Sequence, residues 1–281
     1  MYWHITVQYI FLSHDVDWRK QGAQIEHILE RVERFDKVTI DNLRTRNPYY
    51  NIPDYMAIED RYGLKSTFFF RTVYEDGSLN DYEDDIQALI KGGWEIGLHT
   101  DPKSTNSLEK LASEKKQLEL IAQHPITANR VHYLNNDVEL ASRLQYLGFI
   151  YDSSVKKHKD RITEDDMGFY HIGNLIEFPI TLMDAYMFTY MKIKESQIVA
   201  LFQKTLDYCK NRKKDIITVI WHDNVLKMIG GRMYSSILEY LSSRDDIRIC
   251  RGVDLAKVIN QAYNSEITDE RYISISKTRQ F

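Results

Sequence analysis

Asp15 and Asp17 stand one residue apart in the stretch Leu12-Ser13-His14-Asp15-Val16-Asp17-Trp18. The run before them, residues 5–11, is β-branched and aromatic and reads as a buried strand. Both carboxylates therefore fall where that strand should end. Alternation along the strand puts Asp15 and Asp17 on one side and turns His14 away. Two carboxylates this close need a cation, a shared proton or a basic neighbour to stay charged. A divalent metal on one, with the other free as a base, meets that need. A solvated acidic turn also explains an isolated D-x-D, so the weight rests on what the rest of the chain brings beside it.

Other reactive side chains recur at the ends of expected strands: His99, Arg130 with His132, Asp152 and His222. Each alone has a plain structural explanation, a hydrogen-bonded histidine or a surface cation. In a parallel barrel, however, the C-terminal ends of all strands open onto one face, where active sites are built. Five such ends converging point to a functional site.

The elements that must position them alternate throughout. Apolar runs predict strands at residues 66–71, 94–99, 129–134, 149–152, 175–180, 216–222 and 247–250. Helical spacing predicts helices at residues 24–44, 54–63, 81–91, 107–123, 137–146, 194–211, 234–242 and 255–263. Residues 156–166 are polar and charged and read as a loop. With no linker between halves, residues 1–263 are expected to form one α/β domain, a distorted barrel, followed by a polar tail over 264–281.

The 281 residues suffice for a full core, and 43% hydrophobic with 28% charged residues is ordinary for a soluble globular chain. A net charge of −4 argues against a nucleic-acid partner. Cys209 and Cys250 match no paired metal spacing and are expected to be buried free thiols. No signal-peptide pattern or run of transmembrane length stands out, which predicts a cytoplasmic protein without a membrane span. Oligomeric state is not legible.

In order along the chain, these motifs resemble the polysaccharide deacetylase superfamily, the NodB-like carbohydrate esterases. Ser13-His14-Asp15-Val16-Asp17 resembles the first motif in a D-x-D form. Glu95-Ile96-Gly97-Leu98-His99-Thr100 resembles the second, and Arg130-Val131-His132-Tyr133 the third, with His132 in place of a proline. The segment 148–154 resembles the approach to the fourth motif, and Ile220-Trp221-His222-Asp223-Asn224 the fifth. The resemblance implies a distorted (β/α) barrel of about seven parallel strands and removal of an N-acetyl or similar acyl group from a sugar or glycan.

It further implies that Asp15 is the base for an attacking water and that His222 protonates the leaving amine. Arg130 would orient Asp15, and the Tyr133 backbone N–H would help to hold the oxyanion. Asp17 and His99 would bind a divalent transition metal, most simply zinc. Trp18, Asp152 and Trp221 are expected to contact the sugar. The chemistry agrees, since a metal lowers the pKa of water so that a modest carboxylate base suffices, and amide cleavage needs an acid for the nitrogen. Asp152 or Asp184 could fix the tautomer of His222.

The sequence departs from the family at one point. The usual second metal histidine lies four residues after the first, where this chain has Lys103, a poor ligand at neutral pH. His132, two residues from Arg130, is the candidate for the third ligand, and Asp101 could also supply an oxygen. The rival readings are a silent sugar-binding homologue and a metal-free amidase of the same superfamily. A D-x-D glycosyltransferase is a weaker rival, because fourteen residues before the motif do not supply a nucleotide-binding half.

Overall fold

The computed structural model describes residues 7–134 and 139–262. The expected tail lies outside the described residues. In chain order the strands are β1 (Gln8–Val16), β2 (Thr67–Phe70), β3 (Val73–Tyr74), β4 (Gly77–Ser78), β5 (Glu95–Thr100) and β6 (Ala128–Val131). Then come β7 (Tyr151–Asp152), β8 (Tyr170–Ile172), β9 (Leu175–Glu177), β10 (Leu182–Met183), β11 (Ile216–Ile220) and β12 (Ile247–Cys250). All but the β3–β4 hairpin join one sheet, ordered β10-β11-β1-β2-β5-β6-β7-β9-β8 with β12 also on β1. Within that sheet, among the described residues, only the β8–β9 pair is antiparallel.

Alternation sorts the side chains into two layers. On β1, Ile10, Leu12 and Val16 join the core beneath the helices, whereas Phe11 joins a second cluster with Phe69, Ala128, Tyr151, Ile176 and Phe178. That second cluster is the concave side of a curled sheet. Phe11 and Tyr151 lie four strand spacings apart, which a flat sheet would stretch to roughly 19 Å. Their ring centroids are 5.6 Å apart. The expected distorted barrel is thus realised as a half-barrel. Its concave side is tight: a Cβ at Gly97 would sit 2.5 Å from the Phe69 ring, so the second motif needs glycine there.

A helix over 252–262 covers the lower end of this interior, with Leu255, Ala256 and Ile259 in the inner cluster. Its first N–H groups are held from the sheet. Gly252 donates to Thr67 Oγ1 at 3.1 Å and Val253 to Glu95 Oε2 at 3.0 Å.

Three sequence expectations are corrected here. The single helix over 24–44 is instead Ile25–Leu29, a 3-10 turn Val32–Arg34, and Lys37–Asp41. The Asp36 side chain accepts from the Thr39 N–H and starts a new helix. Part of the apolar stripe, with Ile25, Leu29, Val32 and Val38, is left exposed. β9 ends at Glu177, ahead of Pro179, which has no N–H for a ladder. The helix Asp184–Thr189, absent from the sequence reading, walls the site described next. The cysteines are free, Cys209 buried and Cys250 half-buried. Among the described residues no helix is long and apolar enough to cross a membrane.

Candidate active site

Strand parity carries the chemistry to one place. Asp15 on β1, His99 on β5 and Arg130 on β6 share the concave side with Phe11 and Phe69. Asp17, His132 and His222 continue that side just past β1, β6 and β11. Asp15, Asp17, His99, His132 and His222 line a cavity of about 370 Å³ at the C-terminal ends of the strands.

At its floor three ligand-type atoms form a triangle. His132 Nδ1 is 3.1 Å from His99 Nε2, His99 Nε2 is 3.2 Å from Asp17 Oδ1, and Asp17 Oδ1 is 3.3 Å from His132 Nδ1. A tetrahedral ion with bonds of about 2.0–2.1 Å needs ligand atoms roughly 3.3 Å apart. Asp17 Oδ1 is buried and accepts no hydrogen bond, a costly state for a carboxylate oxygen without a cation. His99 Nδ1 donates to the Arg130 carbonyl at 3.0 Å, which fixes the tautomer that leaves Nε2 a lone pair. Burial lowers the His132 imidazole more than Asp17 raises it, which favours the neutral ring that a metal ligand requires. The donor set fits a divalent transition ion.

Asp15 and His222 flank the triangle. Asp15 Oδ2 lies 3.8 Å from His99 Nε2 and 4.0 Å from His222 Nε2. Its Oδ1 accepts from Arg130 Nη1 at 2.7 Å. Burial works against the Asp15 charge, yet Arg130, His99 and His222 together bring its carboxyl below its usual value. Arg130 is itself fully buried and fixed, with Nε donating to the Ser153 carbonyl and Nη2 to Ser153 Oγ, both at 2.9 Å. His222 Nδ1 is 2.6 Å from Asp184 Oδ1, while Asp184 Oδ2 accepts the His222 backbone N–H at 2.6 Å. Burial alone would lower the His222 imidazole. Asp184, backed by Asp17 and Asp15, pushes it up to about 10. A carboxylate base and a histidine acid thus face each other across the triangle, an arrangement able to cleave an amide.

Of the two partners left open for His222, Asp184 is the one in contact. Three expected sugar contacts are corrected. Asp152 faces the convex side, where Oδ1 accepts from Asn129 and Ser154, and burial raises its carboxyl. Trp221 is fully buried, its indole N–H donating to the Gly231 carbonyl at 3.1 Å. Both sit one residue out of phase with the concave positions Ser153 and His222. Trp18 is half-buried between His27 and Tyr49 and does not line the cavity. Tyr133 is 81% exposed at the rim in a left-handed conformation (φ 60°), its ring tilted 43° against His132 with centroids 3.8 Å apart. Asp101 caps the turn carrying Lys103 and stands apart from the triangle.

Arg71 was not read as a site residue. It follows Phe70 on the concave parity and donates to the Asp17 carbonyl at 3.1 Å; the strand-end rule that found His99 applies to it equally. Tyr186, Thr189 and Tyr190, which line the cavity, come from and just after the helix Asp184–Thr189, for which the sequence pattern gave no signal.

By sequence, neither a family model nor a curated protein matches the chain. By structure it is similar to a solved protein assigned as a polysaccharide deacetylase from Mycobacterium smegmatis. The TM-score is 0.66 at 15% identity, covering 94% of this chain and 93% of that one. A second, similarly assigned, from Pseudomonas aeruginosa, gives 0.62 at 14% identity over 89% and 90%. A 4-alpha-glucanotransferase from Thermococcus litoralis gives 0.55 at 13% identity over 89% of this chain and 40% of that one. The chain therefore has the fold shared by the polysaccharide deacetylases.

Proposed function

We propose that this chain is a metal-dependent hydrolase that removes an N-acetyl or similar acyl group from a carbohydrate. The observation that carries the reading is the Asp17–His99–His132 triangle with Asp15 and His222 on either side. The shared fold supports it, although the glucanotransferase on the same fold means that the site must carry the argument.

Asp17, His99 and His132 would hold the ion. When bound, a divalent transition metal such as zinc polarises the acyl oxygen and lowers the pKa of a water. Asp15, kept charged by Arg130, accepts the proton of the attacking water. His222, protonated and oriented by Asp184, gives its Nε2 proton to the departing nitrogen. The backbone N–H of Tyr133, at the cavity rim, is the candidate donor to the developing oxyanion.

Lys103 was the main argument for a silent sugar-binding homologue. His132 in the triangle favours the enzyme instead. The test is metal analysis of the purified protein together with acetate release from N-acetylated sugars before and after chelation. Stoichiometric metal and chelator-sensitive release support the proposal. Metal-free protein that releases acetate at the same rate would favour the metal-free amidase, and bound sugar without release the silent homologue.

A further inference from the structure

The helix Asp184–Thr189 has two tasks. Asp184 faces inward against His222, while Tyr186 and the following Tyr190 turn to the cavity. The two rings meet edge to face, 5.4 Å apart at 84°. From the loop after β7, Lys159 extends over both, its Nζ 5.8 Å from the Tyr186 centroid and 5.4 Å from that of Tyr190. Lys159 lines the same cavity as Asp15 and His222.

Its loop neighbours are paired: Lys156 with Asp166 at 3.3 Å, Lys157 with Asp165 at 2.7 Å, and Arg161 with Asp160 at 3.5 Å. Among the described residues no carboxylate pairs with Lys159. The tyrosine faces steady the ammonium without neutralising it. Lys159 is exposed at the cavity mouth, and the rings cover only one side of its three donors, which leaves the others open to solvent and to a ligand in the cavity. The helix's other side borders an adjoining cavity of about 610 Å³ that shares Asp17, Ala185 and His222. Lys192 stands there, also without a carboxylate partner among the described residues. Two ammonium groups without an ion-pair partner among the described residues thus border the two cavities, which also hold Asp15, Asp17 and, beside Lys192, Glu33.

We infer that Lys159, held over Tyr186 and Tyr190, is a specificity-determining residue that selects acylated sugars carrying an anionic substituent, a carboxylate or a phosphate. The tyrosine rings offer flat apolar faces for the C–H side of a sugar ring. Lys159 then meets the anion as a point charge. This inference rests on the deacetylase reading of the site.

The test compares three N-acetylated sugars of equal size: neutral, carboxylate-bearing and phosphate-bearing. For the wild-type holoenzyme at low salt, kcat/KM is expected to favour at least one anionic sugar over the neutral one by about tenfold, as a charge-assisted hydrogen bond supplies. The preference should shrink as salt rises. Lys159→Ala should bring the ratio close to one, Lys159→Glu should invert it, and Lys159→Arg should keep most of it. The arm that responds names the anion. No wild-type preference, or a preference that Lys159→Ala leaves intact, overturns the inference while leaving the deacetylase reading standing. If no sugar is turned over, equilibrium binding of the same three to the wild-type protein decides. A Lys159-dependent preference there upholds the residue's role although the hydrolase reading fails, and equal binding rejects both.

Discussion

His14 and Asp15 are consecutive in the chain and lie on opposite faces of β1. Asp15 Oδ1 meets Arg130 at 2.7 Å on the concave side. His14 Nε2 meets Glu59 Oε1 at 2.8 Å on the convex side, and its Nδ1 donates to the Trp221 carbonyl at 2.6 Å. Glu59, fully buried on the helix Ile52–Arg61, also accepts from Trp94 Nε1, Tyr234 Oη and Ser66 Oγ. Glu59 therefore ties that helix to the strand that delivers Asp15 and, through His14, to the strand that delivers His222.

Glu59→Ala is expected to be among the most destabilising single changes in the molecule. It strands the His14 imidazole and three further buried donors, and each buried polar group left unsatisfied costs about 1–3 kcal/mol. Glu59→Gln keeps some of the hydrogen bonds and should cost less. Urea unfolding of the three proteins measures the difference. A Glu59→Ala protein within about 1 kcal/mol of wild type, inside the range of ordinary surface changes, would mean the network is not stabilising.

The site was legible in sequence to the extent that strand parity was. Asp15, Asp17, His99 and Arg130 fall where alternation along β-rich runs places them, and His132 follows from its two-residue spacing to Arg130. Asp152 was misassigned because a one-residue phase error exchanges the two faces of a strand, and Trp221 because alternation, which turns the neighbour of His222 to the other face, was not applied to it. β7 is only two residues long, too short for its own pattern to fix the phase. The pocket wall was not legible at all. Tyr186, Tyr190 and Lys159 reach the site through a six-residue helix and a polar loop, which carry no periodic signal. The breaks within residues 24–44 were missed because helical spacing persists across a capping aspartate.

Metal binding is expected to follow the triangle. Asp17→Ala and His99→Ala should each reduce occupancy severely, and His132→Ala should weaken affinity by at least about tenfold, as losing one of three ligands implies. Lys103→Ala should leave the affinity nearly unchanged, since Lys103 sits in the exposed turn capped by Asp101. Titration of the apo proteins with zinc reads all four. Wild-type affinity in His132→Ala would remove it from the ligand set.

Asp15→Asn should abolish acetate release and leave the metal bound. Asp15 stands outside the triangle, with its nearest carboxylate oxygen 3.8 Å from His99 Nε2. The amide retains a hydrogen-bond acceptor for Arg130 but cannot take a proton from water. Metal content measured beside turnover separates the two roles. Loss of metal as complete as in Asp17→Ala would reverse the assignment of base and ligand.

His222 and Asp184 should act as a unit in which only His222 touches the substrate. Removing a general acid costs about a hundredfold to ten-thousandfold in turnover, so His222→Ala should fall in that range with little change in metal content. Asp184→Asn removes the carboxylate that raises the His222 imidazole and orients it at 2.6 Å. It should therefore reduce turnover by a smaller factor. The discriminating substrate is an acetyl ester of a phenol acidic enough to depart without a proton. Both variants should recover most of their loss on that ester, because the step they serve is no longer needed. Equal losses on amide and ester would show that His222 positions the substrate rather than donating the proton.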